Sequence, residues 1–438
     1  MGTTPVEPDF DVIVVGGGIA GCVTAYLLAQ SGHSVALLER GEQVGSKNLS
    51  GGVFYAKVME QVFPDFLTTA PVERRIDRNQ LVFVNDESWV GVDYTDSRLS
   101  NTGTAVTVLR GRLDAWLGEQ CEQAGVMVMP GIRVDELLRE GSAADPRIVG
   151  VRAGEDELRA RVVVAADGVN SFLARGAGLR TAPPLHHLAV GVKGHITLPR
   201  RSIEERFGLT GDRGAALALV GSVTKGVGGG AFLYTNTESI SLGVVLRLDD
   251  LTEKGLSSAE IFDDFLAHPL IAGYVEGGQL SEYGCHLVAE GGLAMRGRVT
   301  WDGLLIVGEA AGMTINNGLT VRGMDLAAQS AISAAGAITA ALAADDTSSA
   351  GLAGYETSLD ASFAGADLKT YAKAPAFMEN PRLYKDYGPL LADVMHGVFG
   401  LDATPRRSLL TVARHALKGS PVTLKNLALD AWGAVRAL

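Results

Sequence analysis

The chain has 438 residues, enough for one large core or two moderate ones, and the composition of a folded α/β protein rich in glycine, with 55 in all. Its formal net charge of −12 at pH 7 offers no basic stripe for phosphodiester backbones, which argues against nucleic acid as a main partner. Its three cysteines, Cys22, Cys121 and Cys285, are scattered without a C-x-x-C spacing; they make no disulfide framework, cannot supply the four thiolates of an iron–sulfur cluster, and fit a reducing, cytoplasmic compartment.

Asp11-Val12-Ile13-Val14-Val15 reads as a buried strand. Gly16-Gly17-Gly18-Ile19-Ala20-Gly21 follows at once, with Gly16, Gly18 and Gly21 in the G-x-G-x-x-G positions. The first glycine allows a tight turn, the second lets backbone approach a pyrophosphate, and the third lets helix and strand pack closely. Residues 22–30 read as the helix whose N-terminal amides face the phosphates. Residues 34–38 read as the second strand, with Glu39 at its end to accept hydrogen bonds from a ribose. Strand, turn, helix, strand and acid arrive in order, so a merely structural glycine turn is the weaker reading. The spacing alone does not choose between FAD and NAD.

Residues 42–55 are rich in glycine and small polar side chains and read as a loop passing over the nucleotide, with Ser50 and Gly51 as candidate donors. Residues 81–84 begin a set of inserted strands. A helix is expected over 113–124 and a strand over 126–129. Residues 161–165 read as a strand returning to the nucleotide sheet and ending at Asp167-Gly168. Between 188 and 246, short apolar runs separated by turn residues predict an antiparallel second sheet, with a helix over 259–267. Residues 304–308 form another buried strand, followed by Glu309-Ala310-Ala311-Gly312. The uncharged run 326–344 is long enough to span a bilayer, but it is mostly Ala, Ser, Gly and Thr, and reads as a buried helix. Beyond 348 the chain reads as helical, with Arg406, Arg407, Arg414, Lys418 and Lys425 near its end. That end reads as a solvated helical layer; peripheral contact with an anionic membrane surface is the alternative. No signal peptide is apparent.

Three separated segments, the opening fingerprint with Glu39, the Ala166-Asp167-Gly168 strand end, and Val307-Gly308-Glu309-Ala310-Ala311-Gly312, resemble the FAD-binding pattern of glutathione-reductase-type flavoproteins. That superfamily includes aromatic hydroxylases and geranylgeranyl reductases. Its last segment usually reads G-D-A, with the aspartate on the ribityl chain; Glu309 stands there here. Within it the chain is most similar to FixC-type proteins and the electron-transfer-flavoprotein:quinone oxidoreductases. The likeness runs through residues 45–48, 228–236, 286–292 and 320–325, and covers nearly the whole chain.

The resemblance implies a Rossmann-like FAD-binding domain of the glutathione-reductase type, with an inserted antiparallel-sheet substrate domain and a helical C-terminal region. FAD-binding segments are expected at 8–80, 106–185 and 288–345, substrate-domain strands at 81–105 and 186–287, and the helical region at 346–438. FAD is expected to bind non-covalently through Gly16, Gly18, Ile19, Ala20, Gly21, Glu39, Arg40, Ser50, Gly51, Arg110, Asp167, Gly168, Gly308 and Glu309. Backbone amides of Gly312 and Met313 are expected beside the flavin ring, where a donor stabilises negative charge on the reduced ring. His286, the candidate catalytic residue, and Glu290 are expected where the domains meet; a substrate-side lining and an ordinary interdomain histidine with a surface carboxylate weigh about equally. Arg322 and Asp325 have the spacing of an ion pair. No acid–base pair stands out by motif, and no second glycine fingerprint suggests an NAD(P)H domain. The implied activity is relay of electrons from an electron-transfer flavoprotein to quinone or to a separate ferredoxin-like partner, since no cysteine follows Cys285. The alternative is a stand-alone tailoring oxidoreductase acting on a small or carrier-bound substrate, because the scaffold serves both.

Overall fold

The computed structural model of the chain describes residues 7–48, 51–142 and 145–438. The strands Leu304–Ile306, Asp156–Ala165, Phe10–Val15, Val35–Glu39 and Met127–Pro130 lie side by side in parallel, and Thr300–Trp301 closes one edge. Val12, Ile13, Val14, Val163 and Leu305 are fully buried. Such strands are covered on both faces, which is why they read as continuous apolar runs. The helices Ile19–Gln30 and Met324–Ala343 pack against each other. The second is alanine-rich, and Ala328, Ala331 and Ala334 are wholly buried. Among the described residues it is the helix long and apolar enough to cross a membrane, and about two-thirds of it is buried, 67%. The expectation of a core helix holds.

A nine-stranded sheet forms the second layer. Its main path runs Gln279–Ala289, Leu188–Thr197, Ser239–Arg247, Gly229–Thr235, Arg213–Gly221, Val72–Val84, Ala105–Val108, Gly52–Tyr55, and Trp89–Thr95 branches off Val72–Val84. It is antiparallel except where Arg213–Gly221 runs alongside Val72–Val84. The predicted strands between 188 and 246 are all present. The predicted boundaries at 81 and 105 do not coincide with the sheet, which already takes in residues 52–55 and 72–84. The charged run Glu73-Arg74-Arg75 disguises the latter strand. Arg74 is 1% exposed because distant backbone satisfies its guanidinium: Nε donates to the Asn236 carbonyl at 2.6 Å and Nη1 to that of Arg213 at 3.0 Å. The helix Ser258–Ala267 packs Ile261, Phe262 and Phe265 into this layer's core. The chain from residue 346 is helical, as expected, and its helices Tyr387–Phe399, Leu409–Gly419 and Leu424–Ala437 share a small core built on Leu390, Ala416 and Val422.

Candidate cofactor and substrate site

The glycine turn sits at the C-terminal end of the first strand, where open α/β sheets bind ligands. A Cβ on Gly16, whose φ is +107°, would lie 2.3 Å from the Ala166 carbonyl oxygen. A Cβ on Gly21 would lie 1.8 Å from the Gly16 carbonyl oxygen. Packing alone therefore demands glycine at both. Gly18 differs, since its added Cβ would meet only the Arg110 Nη2, at 3.8 Å. The open side of Gly18, together with the unpartnered first-turn amides of the Ile19–Gln30 helix, is a cradle of the kind a diphosphate fills. Glu39 braces the turn. Its Oε2 accepts from the Gly17 amide at 2.8 Å and its Oε1 from the Gly41 amide at 2.7 Å. Each oxygen keeps a lone pair for a ribose hydroxyl.

One cavity of about 1180 Å³ runs from this turn to the second sheet. It exceeds the roughly 300–1,000 Å³ of a typical small-ligand pocket, which leaves room for a dinucleotide and a second molecule. Of the expected cofactor residues, Gly16, Gly18, Ile19, Ala20, Glu39, Arg40, Gly51, Arg110, Asp167, Gly168, Gly308 and Glu309 line it. Gly21 stands behind the turn as a packing residue. Ser50 lies outside the described residues. Gly312 and Met313 depart from expectation. Their amides donate to the carbonyls of Glu309 at 2.9 Å and Gly308 at 3.2 Å, closing a turn on itself, and Met313 is wholly buried. The wall there is made by the residues that follow, including Thr314, Asn316 and Asn317.

Arg110 and Lys193 lie within electrostatic reach of each other and of Glu309 and His286, while Glu290, Asp167 and Arg322 have partners of their own. Arg110 makes a forked ion pair with buried Asp114, at 2.7 Å from Nη2 and 3.0 Å from Nε, and Asn48 bonds the same carboxylate. Burial opposes the Arg110 charge, but Asp114 outweighs it and holds the guanidinium above its ordinary value. Burial pushes Glu309 up, opposed by the Ala289 amide at 3.2 Å and by Lys193 and Arg110. Burial, with Arg110 nearby, lowers Lys193 to about 8. His286 lines the cavity, and burial, Lys193 and Arg110 lower it to about 4, so its ring is neutral near pH 7. Glu290 is half-buried; it accepts from Asn316 Nδ2 at 3.1 Å, and burial raises its carboxyl. Asp167 accepts from the Leu173 amide at 2.9 Å, and burial raises it. Arg322 joins Asp325 at 2.6 Å and Asp367 at 2.5 Å, and lies over the rings of Tyr55 and Phe363. The expected Arg322–Asp325 pair is present, with Arg322 just ahead of the helix.

The second sheet is the far wall. Cross-strand register places His286, Gly191, Val245 and Gly230 in one row, and Gly284, Lys193, Gly243 and Phe232 in the next. Phe232 stacks on Tyr234 at 4.9 Å, and the wall continues through Leu81 and Phe83. One end of this wall is cationic and the other apolar. Lys193 was missed by sequence reasoning. Its only signal is a lone lysine between Gly191 and Gly194 in an otherwise apolar alternation.

Residues 9–197 match the family model described as an FAD binding domain, and residues 374–438 match that of the ETF-QO/FixC family C-terminal domain. The chain is 44% identical over 434 residues to the Escherichia coli protein named probable electron transfer flavoprotein-quinone oxidoreductase YdiS, covering 99% of this chain and 100% of that one. It is 41% identical to Protein FixC of Salmonella typhi over the same shares. Among solved structures, a geranylgeranyl bacteriochlorophyll reductase-like protein from Thermoplasma acidophilum matches with a TM-score of 0.66 at 18% identity, over 96% of this chain and 99% of that one. PqsL, a probable FAD-dependent monooxygenase from Pseudomonas aeruginosa, matches with a TM-score of 0.59 at 19% identity, over 86% and 98%. At those identities the two structures share the fold.

Proposed function

Because this chain belongs to the FixC and electron-transfer-flavoprotein:quinone oxidoreductase family of FAD-dependent oxidoreductases, we propose that it relays electrons from an electron-transfer flavoprotein, through FAD, to a quinone or a ferredoxin-like partner. The observation that carries this reading is the single cavity joining the glycine turn to a second, largely apolar wall. A cavity that joins the two would let a dinucleotide and an apolar acceptor come within reach of one another. Bound FAD supplies the one- and two-electron chemistry.

The chain's own residues bind, orient and shield. The amides at Gly18, Ile19 and Ala20 hold the diphosphate, with Arg110 kept beside them by Asp114. Glu39 holds the adenosine ribose while fixing the turn, and Arg40 flanks it. Gly308 and Glu309 take the ribityl side, the arm of Glu309 reaching from a turn whose amides are already satisfied. Phe232, Tyr234, Leu81 and Phe83 exclude water on the acceptor side. His286, neutral near pH 7, contributes a hydrogen-bonding ring to that wall rather than a charge.

Rapid-mixing reduction of the FAD-loaded chain tests the reading. Reduced electron-transfer flavoprotein should reduce the flavin rapidly and NAD(P)H alone slowly. Fast reduction by an organic metabolite, with indifference to reduced flavoprotein or ferredoxin, would replace this reading with that of a tailoring oxidoreductase.

A further inference from the structure

We infer that Lys193 supplies the positive charge that stabilises negative charge on the reduced ring of FAD. The inference rests on FAD occupying the cavity and adds to that reading a residue the fingerprint segments do not contain.

Three other cations that line the cavity are matched. Arg110 is held by Asp114 and Arg322 by Asp325 and Asp367, while Arg133 pairs with Asp135 at 2.8 Å in solvent. Arg40 and Lys47 are exposed. Lys193 is half-buried and makes no hydrogen bond or ion pair with any described residue, although Glu309 lies close enough to attract it. An ammonium taken from water without a partner is costly, and the cost is recovered when a negative charge arrives.

The sheet leaves this cation bare. Its cross-strand neighbours are Gly243 on one side and Gly284 on the other, so no side chain flanks it there. A Cβ on Gly191 would come 3.9 Å from Lys193 Cε, so the stem runs over that glycine toward the row of His286. Gly243 itself cannot change, since a Cβ there would lie 2.4 Å from the Val192 carbonyl and 2.8 Å from the Phe232 ring. The diphosphate has its own cradle at Gly18 on the other sheet. Glu309, at the start of the turn proposed for the ribityl chain, is within electrostatic reach of Lys193. Lys193 itself belongs to the second sheet, in the cross-strand row that also carries Phe232, on the wall shared with Tyr234. A fixed cation on this side is the arrangement that tunes a flavin toward reduction.

The test compares the FAD-loaded parent with Lys193→Met, which keeps the stem, and Lys193→Arg, which keeps the charge. FAD loading is measured first, by the dissociation constant. The ratio of reduced to oxidised flavin is then read at equilibrium with a redox dye. Lys193→Met should lower that ratio at least tenfold, about 30 mV for a two-electron couple. Its FAD dissociation constant should stay within threefold, and Lys193→Arg should restore the ratio to within threefold. Sulfite gives an independent reading, because its sulfur lone pair forms a bond to the flavin ring and leaves the adduct negatively charged. Sulfite affinity should fall with the ratio. An unchanged ratio in FAD-loaded Lys193→Met overturns the inference about Lys193 alone. So does a tenfold loss of FAD affinity with the ratio unchanged, which would put Lys193 on the phosphates or ribityl chain. A parent that takes up no FAD would defeat the proposed function as well.

Discussion

Removing the Glu39 carboxylate should weaken FAD binding mainly by unfastening the glycine turn. The side chain accepts two backbone hydrogen bonds, from Gly17 at 2.8 Å and Gly41 at 2.7 Å. Hydrogen bonds to a charged group contribute about 1.5–3 kcal/mol each when buried. Glu39 is only half-buried, and cavity water can replace part of what is lost, so the combined effect is about 2 kcal/mol. That corresponds to a roughly 30-fold rise in the FAD dissociation constant of Glu39→Ala. Glu39→Gln discriminates between causes. Its carbonyl oxygen can accept from one amide, but its NH2 then faces the other amide donor to donor. It should therefore resemble Glu39→Ala more than the parent. Fluorescence titration of FAD into the stripped protein measures both. A dissociation constant within threefold of the parent for Glu39→Ala, or a Gln variant that binds like the parent, would refute the claim that two acceptors on one carboxylate hold the turn.

The glycines should separate by what their missing Cβ would strike. Gly21→Ala, facing the Gly16 carbonyl at 1.8 Å, should lower the urea midpoint of the FAD-free protein, whereas Gly18→Ala should leave that midpoint unchanged and weaken FAD binding at least tenfold. Burial, Lys193 and Arg110 hold His286 at about 4, below its usual 6.5, so the folded chain binds fewer protons than the unfolded one between those values. The resulting stability is fully present above pH 6.5 and is lost as pH falls toward 4. The urea midpoint of the parent should consequently drop more between about pH 7 and about pH 5 than that of His286→Gln, and equal drops would count against the lowered titration of that ring. Leu409, Leu410, Leu424 and Trp432 are more than half exposed near Arg414, Lys418 and Lys425. The protein should float with anionic vesicles and cease to do so in Arg414→Glu/Lys418→Glu, and vesicles that never recruit the parent would remove the membrane role.

The parallel sheet was legible because burial on both faces leaves a run with no polar interruption, as in Val12 to Val15. The strands between 188 and 246 were legible because alternation and turn residues marked them. Val72–Val84 was not, because what makes Arg74 tolerable in a core is carbonyl oxygen more than 100 residues away, at Asn236 and Arg213. Local pattern carries no information about such a partner. The glycine turn and the acid that braces it were readable from spacing, since the turn enforces its own geometry. The amides of Gly312 and Met313 were misassigned for a related reason. A glycine-containing turn can offer its amides outward or fold them onto its own carbonyls, and the residues do not say which. Lys193 was invisible because its meaning lies in what flanks it across strands, two glycines drawn from residues 243 and 284.

The order of the strands in the parallel sheet also bears on how the protein is made. Phe10–Val15 is synthesised first, yet one of its two sheet partners, Asp156–Ala165, comes about 150 residues later, and Leu304–Ile306 later still. At typical translation speeds the fingerprint strand waits roughly 8–30 s on the ribosome for that partner. During this interval an apolar strand exposes an unpaired edge, which is a template for aggregation. Such non-local parallel pairing also folds slowly. A nascent chain arrested before residue 165 should therefore recruit holdase chaperones, and FAD should become tightly bound only after the segment carrying Glu309 has emerged.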